Sequence, residues 1–174
     1  MCWLDESDVR KLEIGSRVFL PPHGVASVLG IEEHSFGDSS QTFYVLGLSR
    51  GDKLLLPLDN VPTAGVRDLV SPSKARELLE QVSTAPATPS PSYWRERAAT
   101  HADGLKSGDA DKYTEILQQL LHRARREKLS ATDQRTLQAA RSYFVAEIAA
   151  VLDQSADAIE AVLKGEADLA QETS

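Results

Sequence analysis

The chain has 174 residues, a net charge of −7 and 41% hydrophobic side chains. That suits one domain or two small ones with packed cores, and it excludes wholesale disorder. A single cysteine, Cys2, excludes an internal disulfide and a cysteine-rich zinc site, and no apolar run reaches the roughly 18 residues of a membrane-spanning helix. The opening MCWLDESDVR holds three acids and no cationic start before an apolar stretch, so it does not read as a signal peptide. A soluble cytoplasmic protein is expected.

The acidic total argues against a general polyanion binder, but the charge is uneven. Residues 1–91 carry 8 basic and 12 acidic side chains, residues 92–147 carry 10 and 8, and residues 148–174 carry 1 and 6. Any nucleic-acid contact should therefore come from the middle of the C-terminal half.

The first 60 residues read as β structure. Arg17 to Leu20 is a short β-branched and aromatic run, broken by Pro21-Pro22-His23-Gly24. Val25 to Ile31 is a second run, with Val25, Leu29 and Ile31 expected on one face. Ser35 to Ser40 reads as a turn or loop, and Thr42 to Leu48 as the clearest strand. Ser49 to Asp52 is a hairpin turn in which Gly51 can take a positive φ, and Lys53 to Pro57 returns. Pro57 has no N–H to donate, which places the end of that strand, or a sheet edge, there. Four or five short strands predict a small, strongly bent sheet or partly open barrel.

From residue 71 the period changes to that of helices. Ser71-Pro72-Ser73 starts a helix to about Val82, burying Ala75, Leu78, Leu79 and Val82. Three prolines in residues 84–92 make a semi-rigid linker, and the domain boundary is expected in it. Ser92 is expected to cap a helix to about Lys106, and Gly108 to stop it. Asp111 to Lys128 places Tyr113, Ile116, Leu117, Leu120 and Leu121 on one face. Ser130-Ala131-Thr132-Asp133 resembles a capping box, with aspartate in the glutamate position. The helix after it runs to Leu152 and buries Leu137, Ala140, Phe144, Ile148 and Val151. Ser155 caps a last helix through Leu163, ended by Gly165. The expected class is α+β. Residues 1–70 form the β-rich domain, 71–91 a short helix and linker, 92–165 a compact helical bundle, and 166–174 an acidic tail.

Little in the chain points to catalysis. His23, His34, His101 and His122 have no i, i+4 metal spacing, and three of them sit near turns or polar faces, so solvated histidine is the expectation. Cys2 is terminal with no histidine nearby. No P-loop, GxGxxG or GxSxG occurs, and no enzyme activity, cofactor or metal is expected.

Trp94 stands out, in Tyr93-Trp94-Arg95-Glu96-Arg97 just after the proline linker. Either it plugs the seam between the two halves, or its ring wedges at a base step while the flanking guanidiniums meet phosphates. Lys106, Lys112, Arg123, Arg125, Arg126, Lys128 and Arg135 are further cations of that half. Residues 122–128 end a helix, where cations are favoured whatever their function. Leu54-Leu55-Leu56 is a second feature, because Leu55 must face away from the other two. It is either covered within the molecule or part of an edge strand that a partner extends.

Read together, several motifs resemble one family. They are Gly15-x-x-Val18-Phe19-x-Pro21-x-His23-Gly24-Val25, Ile31-Glu32, Phe43-Tyr44-Val45-Leu46, Pro57-x-x-Asn60 and Gly65 to Val70. In this order they resemble the N-terminal module of the CarD/CdnL/TRCF family of bacterial transcription regulators. Trp94-x-x-Arg97, Leu105-x-Ser107-Gly108-Asp109, Leu129-Ser130, Ala139-Ala140-Arg141 and Glu147-Ile148-Ala149 resemble the CdnL-type C-terminal domain. The likeness spans residues 13–163. It implies a Tudor-like β domain that binds the RNA polymerase β subunit. It also implies a helical domain on promoter DNA at the upstream edge of the −10 element, with the residue matching Trp94 wedged in the minor groove and the open complex stabilised.

On that resemblance the expected DNA-contacting residues are Trp94, Arg95, Arg97, Lys106, Arg123 and Arg126. The expected polymerase-contacting residues are His34, Lys53, Leu54, Leu55 and Leu56. Glu96, Ala98 and Ala99 interrupt the basic residues that often follow the tryptophan in relatives, and Leu55 stands where a basic residue can occur, so a more apolar polymerase contact is expected. The chain is read as a cytoplasmic monomer, nucleoid-associated through polymerase and without a membrane partner. The other reading is a protein–protein adaptor with little or no DNA binding.

Overall fold

The computed structural model describes residues 11–84, 89 and 91–169. Cys2, most of the proline-rich segment and the end of the acidic tail lie outside these residues. An antiparallel five-stranded sheet is followed by five helices, an α+β architecture.

The strands are β1 (Arg17–Leu20), β2 (Gly24–Phe36), β3 (Ser39–Leu48), β4 (Lys53–Pro57) and β5 (Arg67–Asp68), in the spatial order β4-β3-β2-β1-β5. One face buries Val18, Leu20, Ala26, Val28, Tyr44, Leu46 and Leu56, with Leu12, Val61 and Val66 closing the core. Burying each valine or leucine among them contributes about 1.5–3 kcal/mol. The Tyr44 hydroxyl accepts the N–H of Leu12 at 3.1 Å and so pins the start of the sheet unit. Gly51, at φ 85°, makes the β3–β4 turn, and β4 lies at the sheet edge, as the proline suggested.

Two expectations for this sheet change. Residues 35–40 are not a loop: β2 runs to Phe36 and β3 starts at Ser39, so only Gly37 and Asp38 turn the hairpin. Val25, Leu29 and Ile31 do not share one face: Leu29 lies on the side away from the core, while Ile31 pairs with Tyr44 on the core side and is nonetheless 48% exposed. The register steps from Val28↔Leu46 to Gly30↔Val45, which makes Leu29 an extra residue. That bulge breaks the period of two, and Ala26 and Val28 take the core positions. Leu29 instead lies over Gly47, where an added Cβ would meet its side chain at 3.1 Å.

The helices are α1 (Pro72–Thr84), α2 (Trp94–Ser107), α3 (Ala110–Ala124), α4 (Ala131–Leu152) and α5 (Ala156–Leu169). The central helix α4 packs against the other four. Its period buries Ala140, Phe144 and Ile148, as Tyr113 and Leu117 are buried on α3 and Ile159 on α5, while Leu137 and Val151 are only half-buried. Local chemistry sets the ends. Ser71 Oγ accepts from Lys74 N at 3.2 Å, and Asp109 caps α3 through the N–H groups of Asp111 and Lys112. Gly108 ends α2 in the left-handed region at φ 66°.

Four boundaries differ from the sequence reading. Tyr93, not Ser92, precedes α2, and the Ser92 carbonyl accepts from the Arg97 side chain. Helix α3 stops at Ala124, where the N–H groups of Arg126 and Glu127 fold back onto the carbonyl of Arg123. Gly165 keeps a negative φ and lies inside α5, which carries residues 166–169 on as helix. Finally, contacts divide the chain between Asp68 and Leu69 rather than in the proline-rich segment, because α1 packs on α3, α4 and α5.

Candidate functional site: an apolar sheet face and a basic groove

In the sheet unit, period two sends Leu55 outward and Leu54 and Leu56 inward. Leu55 is 42% exposed, whereas Leu56 is buried in the core and Leu54 packs against it. Leu56, being buried, could meet a partner through the strand backbone, and Leu54 offers only part of its side chain. Lys53 is exposed at the start of the strand. Outward-facing Val45, opposite both Leu55 and Gly30, is buried, and Leu29 stands exposed beyond it over Gly47.

His34 lies on this same outer face, but four residues along β2 from Gly30, about 13 Å away. Its ring packs edge-on to Phe43 at 5.4 Å and stacks with Phe36 at 6.5 Å, and its Nε2 is 3.2 Å from a Glu32 carboxylate oxygen. The face thus has an aliphatic patch beside the open edge and an aromatic patch nearer the β2–β3 turn.

In the helical unit, Trp94 opens α2 and is 57% exposed. Within the helical unit the indole is therefore not part of the core. The Arg95 guanidinium lies 5.1 Å from its ring, and the exposed Tyr93 ring sits 6.5 Å away. Trp94 lines a groove of about 500 Å³ together with Ala98, Arg123, Lys128, Ser130 and Thr132, above the buried pair Arg97 and Asp133. Arg123 is half-buried and paired with Glu127 at 2.6 Å. Arg126 is exposed in the turn after α3. Lys106 is exposed in the last turn of α2, 12 residues from Trp94 and so about 18 Å along the helix. The fold therefore brings Trp94, Arg95 and Arg123 together and leaves Lys106 apart.

Arg97 does not reach solvent and is removed from the phosphate-contacting set. Only 3% exposed, it donates from Nε and Nη2 to the two carboxylate oxygens of Asp133, at 3.4 and 3.1 Å. Its Nη1 donates to the carbonyls of Pro91 and Ser92, at 3.2 and 3.4 Å. Burial pushes the Asp133 carboxyl up, but hydrogen bonds from Arg97 and Ser130 and the charges of Arg97 and Arg123 outweigh it. The group ends below the usual carboxylate value. Asp133 thus does not complete the expected capping box, since its carboxylate serves Arg97 and the Ser130 hydroxyl while its N–H is capped by Ser130.

Two other buried polar groups escaped the sequence reading. Glu147 on α4 is fully buried and accepts from the Val70 N–H at 2.9 Å and from the Tyr113 hydroxyl. His101 on α2 is buried against Gln119 rather than solvated. Among the described residues, no group of three or more His, Cys, Asp or Glu could hold a metal ion, and no helix is long and apolar enough to cross a membrane.

Comparison with known proteins agrees with this division. Residues 12–70 match the model of the CarD-like/TRCF RID domain, a Tudor-like fold, and residues 74–164 match that of the CarD C-terminal domain. A Bacillus subtilis (strain 168) protein named "Putative transcription factor YdeB" is 21% identical over 140 residues, covering 78% of this chain and 89% of that protein.

Proposed function

Because the chain belongs to the CarD family of transcription regulators, matching its C-terminal domain over more than half its length, we propose that it acts on the transcription machinery through two contacts. The sheet unit binds the RNA polymerase β subunit, using the open β4 edge, Lys53 and the Leu55–Leu29 patch. The helical unit meets promoter DNA near the upstream edge of the −10 element and stabilises the open complex.

The observation that carries this reading is the exposed indole of Trp94. A large aromatic side chain left in water beside Arg95, at the mouth of a groove with Arg123 and Lys128, suits wedging between bases while cations meet the backbone. The first turn of α2 has no side-chain cap, so its N–H groups can also serve a phosphate. A net charge of −7 is compatible with this, because docking on polymerase raises the local concentration of a weakly DNA-binding unit.

The test is capture of the chain by the polymerase β subunit, then binding to a forked promoter fragment, with and without polymerase, across a salt series. We expect capture and a salt-dependent DNA contribution that needs polymerase. Trp94→Ala should keep the capture and shorten the open-complex lifetime. No capture would end the proposal. Capture without any salt-dependent DNA contribution would leave an adaptor instead.

A further inference from the structure

We propose that the Arg97–Asp133 pair is a positioning device, holding the start of α2, and with it the indole of Trp94, against the turn between α3 and α4. The proposal rests on Trp94 being the DNA-contacting group, and it assigns to two buried residues the task of aiming it.

The geometry makes one side chain the organiser of the α2 start. A guanidinium is planar, so its two bonds to the Asp133 carboxylate fix the plane of the fork. Nη1 then points in one direction, and there it meets the carbonyls of Pro91 and Ser92. These carbonyls belong to the residues that lead into Tyr93 and Trp94. Asp133 is itself fixed, since its N–H donates to the Ser130 hydroxyl, and that hydroxyl donates to its carboxylate. One chain of hydrogen bonds therefore joins the beginnings of α2 and α4. Tyr93 supplies no cap of its own, so the first turn of α2 is held from Arg97.

Trp94 precedes Arg97 by one turn, which puts the two on one side of the helix. Both line the same groove, the arginine beneath it and the indole exposed at its mouth. The far side of that groove carries Arg123, Lys128 and Thr132. The distance from the indole to those groups follows from how α2 starts, and Arg97 sets that start.

A buried ion pair can be exchanged for apolar side chains of like volume without loss of fold. Such an exchange separates support from positioning, because an apolar pair fills the space but offers nothing to the Pro91 and Ser92 carbonyls. The experiment uses the full chain carrying Trp3→Phe, so that Trp94 is the sole tryptophan. Melting temperature, time-resolved indole anisotropy and the lifetime of polymerase–promoter open complexes are measured for this parent and for Arg97→Met/Asp133→Leu.

The double variant should melt no lower than the parent, show added nanosecond motion of the indole, and shorten the open-complex lifetime by about tenfold. A folded double variant with the parent's anisotropy and lifetime would overturn the proposal and leave the pair a plain structural one. If the double variant does not fold, Arg97→Lys decides. Its single ammonium cannot serve the carboxylate and both carbonyls together, so the indole should loosen, and unchanged anisotropy overturns the proposal. Fast local motion of the indole in the parent itself would overturn it as well. A parent chain without effect on open complexes would defeat the proposed function, while anisotropy would still judge the positioning.

Discussion

In the sheet unit the exceptions to apolar-in, polar-out lie outside, where Leu29, Ile31, Phe36 and Leu55 are exposed. In the helical unit they lie inside, where Arg97, His101, Asp133 and Glu147 are buried. The two kinds of exception differ in what they have already received. A buried charge is tolerated only with its hydrogen bonds made, and Arg97, Asp133 and Glu147 have theirs within the fold. Exposed apolar side chains still have area left to bury, which the proposed contacts would use. Trp94 belongs with the second kind, although it sits among the first. Polar groups thus organise the helical unit from within, and exposed apolar groups on each unit are what the proposed contacts would cover.

The comparison can be broken most sharply at Arg97. Arg97→Ala strands the Asp133 carboxylate in the interior, and chemical denaturation should show a loss of about 3–5 kcal/mol. A loss under one-third of that would mean the pair is not buried in solution. Acid gives a smaller, graded effect. Asp133 titrates below an ordinary carboxyl in the folded chain, so between that lower value and about 3.9 the unfolded chain binds more protons. Stability therefore rises with pH there. The contribution is complete above the ordinary value and is lost as pH falls through the folded one. Asp133→Asn should flatten this acid limb, as followed by circular dichroism, and an unaltered limb would assign it to other carboxyls. The smallest effects on stability belong to the exposed apolar residues. Leu55→Glu and Trp94→Ala should each stay within about 0.5 kcal/mol of the parent. Leu55→Glu should nonetheless weaken capture by the polymerase β subunit, and full capture would take β4 out of that interface.

What the sequence disclosed follows the range of the forces involved. Strands β1 and β4 begin and end where their short apolar runs do, and the opposite facing of Leu55 and Leu54 needs only the pleat. Ser130 and Ser155 act within three residues, so their capping was legible. The bulge at Leu29 was not, because it is decided by pairing with β3 and inverts which residues face the core. Arg95 and Arg97 look alike in a string of letters. Asp133, 36 residues further on, gives one of them an internal partner and leaves the other over an indole. In the sequence Lys128 is one of several cations at a helix end. Its place at the groove followed only once α3 stopped four residues early.

The β2–β3 hairpin outruns its neighbours: β4 pairs no further than Phe43, and β1 pairs only with residues 24–27 of β2. The four pairs from Glu33↔Thr42 to Phe36↔Ser39 consequently form a two-stranded ribbon whose backbone has no further strand on either border among the described residues. Such a ribbon works as an adjustable ruler. Two residues added to each strand would carry its tip about 7 Å outward while every ring kept its side, whereas one residue added to each would swing Phe36 to the opposite surface.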